Sequence, residues 1–279
     1  MGDTLRQSMS WLHTWAGVLL GALLFAIFWM GSLTVFDREI DRWMMPETRL
    51  AAPVTMSLDR ALSTARAAAP DAVEWRFRLP TEREPVFRLS FQDADGVLTS
   101  REIHPGTGAV LPAAGTLAGT GFIFPFHSGL HVGWQDLGYW LVGLAGMTML
   151  VLLVSGVIIH RRVFADFFTF RCASRLPRSS VDLHNLTGVL GLPFYFVMAL
   201  SGLIIFFTTY LPSVIDTVYS GDRQAFFDEA FGGYQREAAE ESGAMISLDT
   251  LIDRAREHWP GETPYFIRLH HPGDEDASF

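Results

Sequence analysis

Charged residues are missing from three long stretches of the chain: between Arg6 and Asp37, between Asp136 and Arg161, and between Asp182 and Asp216. Each exceeds the roughly 20 residues with which a helix crosses about 30 Å of hydrocarbon, whereas a buried core helix would need only about 10–14. Three transmembrane helices are therefore predicted. The first apolar run is too long for the core of a cleaved secretion signal, about 7–15 residues, and reads as an uncleaved anchor. Outside these runs the pattern changes. "SLDRALSTAR" (57–66) opens with a helix cap, "VEWRFRLP" and "PVFRLSF" alternate like strands, and "GVLTSREIHPGTGAVL" reads as a hairpin turning at "HPGTG". One helix against an antiparallel sheet is the expected unit.

That unit recurs. Residues 247–269, "SLDTLIDRAREHWPGETPYFIRL", lie over residues 57–79 without a gap and with eight identities in 23 positions. The spans repeat as well. Leu12–Gly31 over Leu183–Gly202 gives seven identities in 20, among them Leu12, His13, Gly17, Val18 and Leu19. The organisation expected is an internal duplication, each half a membrane helix, an outer α+β domain and a return helix. On that scheme the second half stops at Phe279, in the first strands of its outer domain, and a fourth span is missing. Such a unit is expected to fray toward Phe279.

The boundaries follow. Residues 1–36 form the first transmembrane helix and 37–126 an outer α+β domain. Residues 127–160 form the second span with its lead-in, 161–182 a basic loop, 183–212 the third span and 213–279 a second, truncated outer domain. At 279 residues, 49% hydrophobic, 13% aromatic and with a mean hydropathy of +0.22, the composition agrees with a membrane protein. The loop after the second span carries Arg161, Arg162, Arg171, Arg175 and Arg178 against a single acid, Asp166, which places it in the cytoplasm and the N-terminus with it. The net charge of −9 gathers in the outer segments and argues against nucleic acid as a partner. Cys172, the single cysteine, sits on the inner side and supports no disulfide.

"WLHTWAGVLLG", "SGVIIHRRVFADFFTFR", "DLHNLTGVLGLPF" and the outer segments beginning Ser-Leu-Asp together resemble the PepSY-associated transmembrane proteins. These are iron-regulated membrane proteins, some of which act as haem-containing ferric-siderophore reductases of the bacterial inner membrane. The resemblance covers nearly the whole chain. It implies a multi-pass α-helical bundle in the inner membrane with small periplasmic PepSY-like domains, and a role in membrane electron transfer or iron acquisition. Tyr195 stands where relatives often carry a histidine after "LPF".

Histidine within a span is expensive and usually functional. A lone one fits a helix-capping or interfacial role as well as a ligand, but His13 and His184 are equivalent positions of a repeat. Two parallel halves are related by an axis along the membrane normal, so the two imidazoles should face each other at the inner side, as a bis-histidine haem iron requires. Gly17 and Gly188, one turn deeper, leave room for a flat macrocycle, although small residues also serve close helix packing. His160 adjoins Arg161 and Arg162 and suits contact with lipid phosphate or a haem propionate better than ligation. In "FPFHSGLH", His127 and His131 are spaced to share one helical face, which suits an outer haem, with His127 as ligand by family position, or a divalent metal.

The cofactor expected is haem b, one or two per chain, with a quinol or a separate reductase as electron donor and a ferric chelate as periplasmic substrate. His104, His258, His270 and His271 read as structural or surface residues, and Trp11, Trp15, Trp134 and Trp140 as interface belts. Arg76, Arg78 and Arg88 alternate along strands, as a solvated sheet face or a patch for an anionic chelate would. Two other classes compete: a sensory or protease-regulatory PepSY protein without redox chemistry, and a transporter. No carboxylate or lysine lies inside a span to serve a transporter, and no nucleotide or flavin signature appears.

Overall fold

A computed structural model describes residues 2–51, 56–92, 97–112, 119–160, 176–231, 236–261 and 264–278. Along the chain run α1 (Gly2–Thr34), α2 (Asp37–Met44), α3 (Leu58–Ala68), β1 (Glu74–Arg78), β2 (Phe87–Gln92), β3 (Leu98–Ile103), α4 (Thr120–Gly129), α5 (Leu137–Ile159), α6 (Leu176–Ile205), α7 (Phe207–Tyr210), α8 (Ser213–Tyr219), α9 (Arg223–Phe231), α10 (Leu248–His258) and β4 (Phe266–His270). They fall into two compact units, residues 1–35 with 123–223, and residues 36–122 with 224–279.

The first unit is helical. Among the described residues three helical segments are long and apolar enough to cross a membrane: Thr4–Thr34, Trp134–Ile159 and Leu176–Ile205. α5 is the centre, with α1 and α6 each packed along it. Leu24 and Ile27 of α1 bury themselves against Ala145 of α5, with Val142, Met149 and Leu152 around them. On the other side Gly146 lets Leu203 approach, and Gly143 admits the ring of Tyr210, whose hydroxyl donates to the Tyr139 carbonyl at 2.8 Å. Small residues on α5 thus let helices close where no water drives them together. α6 has no buried residue, and Leu190, Phe194, Val197 and Ile204 are exposed, as suits a helix in contact with lipid.

The second unit is one antiparallel sheet of order β3-β2-β1-β4 with α3 and α10 over one face. Trp75 and Phe77 of β1, Phe87 and Leu89 of β2, and Ile267 and Leu269 of β4 point into a core closed by Leu58, Leu62, Leu248 and Ile252 of the two helices. The segment after residue 247 was expected to be a separate, partial domain. Instead it adds its helix and strand to the first, because a lone helix and strand cannot cover their own apolar faces. Toward residue 278 the chain is tied down rather than frayed: His270 and Ser278 exchange backbone hydrogen bonds of 2.8 and 3.2 Å, and Ser278 is buried.

The join is reciprocal. In the β1–β4 ladder Phe77 lies opposite Ile267, positions that match each other in the gapless alignment. Asp249 accepts the Leu58 amide at 2.8 Å and the Ser57 hydroxyl at 3.1 Å, while Asp59 accepts the Leu248 amide at 2.8 Å and the Ser247 hydroxyl at 2.7 Å. Each Ser-Leu-Asp motif therefore caps the opposite helix, filling donors that a helix N-terminus leaves open.

Candidate functional site

The helical unit brings His13 and His184 together. His13 lies on α1 and His184 on α6, and their ring centres are 6.1 Å apart with planes at 81°. Further along the same two helices, Phe28 and Tyr195 meet at 6.0 Å and 88°. The second pair explains Tyr195 as an aromatic contact across the two spans. The first pair joins two polar rings near the ends of their apolar runs, His184 two residues after Asp182.

His13 is held from the side of α5. Its Nδ1 lies 3.0 Å from the Ser155 hydroxyl oxygen, and Ser155 is almost wholly buried, 1% exposed. Gly156 provides the space: a Cβ there would stand 3.4 Å from His13 Cε1. Of the two glycines expected to make room, Gly188 has open space where a Cβ would point, and a Cβ on Gly17 would meet only Leu152, at 4.0 Å.

Two imidazoles binding one metal ion from opposite sides, with bonds of about 2 Å and about 1.1 Å from nitrogen to ring centre, have centres roughly 6 Å apart. The 6.1 Å separation of the His13 and His184 ring centres matches that distance. Among the described residues no group of three or more His, Cys, Asp or Glu side chains is placed to hold a metal ion, so a closed protein cage of the zinc type has no ligands here.

His127 forms a second locus on the same unit. Its Nδ1 lies 2.8 Å from the Ile27 carbonyl, and because a carbonyl only accepts, Nδ1 carries the proton and Nε2 keeps its lone pair. Gly31 is the seat for this ring: a Cβ there would come within 2.6 Å of His127 Cε1. From His13 to Ile27 is fourteen residues, about 21 Å along the α1 axis. His131 does not share a helical face with His127. α4 ends at Gly129, and Leu130 and His131 turn into the left-handed region at φ 54° and 56°, so the spacing of four residues is not helical there.

His160 caps the end of α5, its amide bonded to the Gly156 carbonyl at 3.0 Å. The arginines from 161 to 175 expected beside it, with Cys172, lie outside the described residues. Arg178 faces Asp182 at 3.6 Å. Trp11, Trp15, Trp134 and Trp140 are exposed. In the sheet unit His104 serves its own turn, its Nδ1 accepting the Gly106 and Thr107 amides at 3.1 and 3.3 Å.

The alternating arginines are committed to carboxylates. Arg76 and Arg268 share Glu74 at 2.9 and 2.8 Å, and Arg88 bridges Glu84 and Glu102 at 2.7 and 2.8 Å. That face is a lattice of internal ion pairs, not a cationic patch. Ser155 and Gly31 are the site residues that sequence reasoning missed. The signal for Ser155 was a hydroxyl inside an uncharged span, five residues before His160.

The sequence pattern of the family described as PepSY-associated TM region matches residues 10–271. The chain belongs to that family. It is also 33% identical over 157 residues to an uncharacterized protein of Pseudomonas aeruginosa, a stretch that covers 54% of this chain and 39% of the relative. The chain thus spans about two fifths of the length of that curated relative. Membership of this family and three apolar helices together make it a multi-pass membrane protein.

Proposed function

We propose that this protein binds haem b in its helical unit and moves electrons across the bacterial inner membrane, toward ferric-siderophore iron on the periplasmic side. The observation that carries the reading is the His13–His184 pair, two imidazoles from separate spans with ring centres 6.1 Å apart. Histidines in membrane spans are costly and commonly functional, and this pair comes from equivalent positions of the sequence repeat. His13 and His184 would hold the iron, and a haem so bound supplies one-electron chemistry between ferric and ferrous iron. Two protein ligands would leave no open coordination position, so the group would serve electron transfer rather than bind oxygen or substrate.

His127, its proton already committed to Ile27, offers Nε2 as one half of an outer site. A second haem there would need a further ligand, and His131 does not supply it on the same helical face. The arginine-rich segment 161–182 supports a cytoplasmic N-terminus, and electrons from a quinol or a separate reductase would then pass outward. His160 and the neighbouring arginines suit haem propionates at the inner boundary.

The test is an optical spectrum of the detergent-purified full chain, oxidised and then reduced with dithionite. A sharp reduced α-band of six-coordinate b-type haem is expected, lost in His13→Ala and in His184→Ala. A chain purified from haem-replete cells without that band, or a band indifferent to both substitutions, would favour a non-redox regulatory role.

A further inference from the structure

We propose that Ser155 is a positioning residue that fixes His13 as the Nδ1-protonated tautomer and so leaves Nε2 as the nitrogen without a proton. A serine hydroxyl has one proton. The Ser155 oxygen lies 2.7 Å from the Val151 carbonyl and 3.1 Å from the Leu152 carbonyl, both of which can only accept, and 3.0 Å from His13 Nδ1. The shortest of these contacts takes the hydroxyl proton to Val151, as helical serines commonly do with the carbonyl four residues back. The oxygen is then left as an acceptor, and His13 Nδ1 must be the donor. The result is a chain from Nδ1–H to Oγ–H to a backbone carbonyl, each member polarising the next.

In an apolar span this arrangement has few rivals. Burial leaves Ser155 1% exposed, so no water replaces it, and Gly156 holds the ring against α5 with His13 Cε1 3.4 Å from where a Cβ would be. His127 is fixed in the same tautomer by the Ile27 carbonyl, at 2.8 Å. Both imidazoles thus spend Nδ1 on a neighbouring element and keep Nε2. If Ser155 instead donated to Nδ1, the proton would sit on Nε2, and His13 could only hydrogen-bond to His184. The tautomer claim stands by itself; the step from Nε2 to iron rests on the haem reading above.

The experiment separates the two. Nitrogen-15 labelling of histidine in the haem-free full chain reads the tautomer of His13, assigned by the signal missing from His13→Ala. Nδ1–H is expected in the native protein, redistribution toward Nε2–H in Ser155→Ala, and return in Ser155→Thr, which restores the hydroxyl. Native His13 in the Nε2–H form, or a Ser155→Ala spectrum identical to the native one, overturns the inference whether or not haem binds. In loaded protein Ser155→Ala should weaken haem retention about 10- to 100-fold, the usual effect of losing a partner behind a metal-binding histidine. A tenfold loss specific to the ferric form appears as a rise of about 59 mV in midpoint potential. A native tautomer as expected in a chain that never takes up haem would sink the haem reading and leave the Ser155 assignment intact.

Discussion

Replacing Asp59 or Asp249 by alanine should loosen the sheet unit by similar amounts, although the two residues are 190 positions apart in sequence. Each carboxylate accepts two hydrogen bonds from the other helix's first turn, at 2.7–3.1 Å. Loss of a helix cap is worth about 0.5–2 kcal/mol, and a bond to a charged group about 1.5–3 kcal/mol before exposure weakens it. A loss of about 2 kcal/mol per substitution follows, or roughly 4–8 °C in melting temperature for a unit of this size. Asparagine keeps an acceptor oxygen and should lose about half as much.

The assay is unfolding of the full chain in detergent, followed by near-ultraviolet dichroism, to which the buried Trp75 contributes, with its indole N–H on the Ala69 carbonyl at 3.1 Å. Amide exchange gives a finer reading. Asp59→Ala should expose the Leu248 amide, and Asp249→Ala the Leu58 amide. If either substitution moves stability by less than about 0.5 kcal/mol, or only one of the two does so, the reciprocal cap is not what joins the helices.

Gly31→Ala should displace the His127 ring, since the added methyl would stand 2.6 Å from Cε1, and break its bond to Ile27 at a loss of about 1–2 kcal/mol. Gly156→Ala, at 3.4 Å from His13, should lose less than about 1 kcal/mol, and thermal unfolding of the two variants side by side checks the order. The sheet unit should also weaken as pH falls. Burial lowers the pKa of His270 from its ordinary value, outweighing Glu74 3.6 Å away, whose charge Arg76 and Arg268 already share. The folded state then binds fewer protons than the unfolded one, so this stability is full above about pH 6.5 and is lost as pH drops below it. Urea midpoints from pH 8 to 5 should show a decline that His270→Gln reduces; an equal decline in that variant would refute it.

The spans were legible because a membrane helix is written in one local property, an uncharged run longer than the bilayer is thick. The strands of residues 74–103 were legible through alternation: Trp75 and Phe77 face the core while Arg76 and Arg78 face away. What the segment after residue 247 would do with its single strand was not. A repeat in sequence says that two pieces are alike, and is silent on whether each folds alone or completes the other. The gapless match of 247–269 onto 57–79 is equally consistent with both. The decision lies in burial: Leu248, Ile252 and Leu269 need a cover that β1 and α3 supply. Asp59 and Asp249 looked like first-turn acids favouring their own helices, and only the tertiary arrangement turns each toward the other's N-terminus.

The histidines divide in the same way. His13 and His184 stood out because an imidazole in an uncharged span must be paired, and the repeat named the partner. His131 was misplaced by treating four residues as one helical turn past the point where Leu130 turns left-handed. Ser155 was overlooked because a serine in a span ordinarily satisfies itself on its own helix, and Ser155 does so at Val151. Its second bond, to His13, is visible only in three dimensions. Yet that bond bears most directly on chemistry, because at apolar depth a ring's protons go where acceptors are fixed. Ile27 and Ser155 are such acceptors, neither can move without disturbing its own helix, and together they determine which nitrogen of His127 and of His13 remains to bind anything at all.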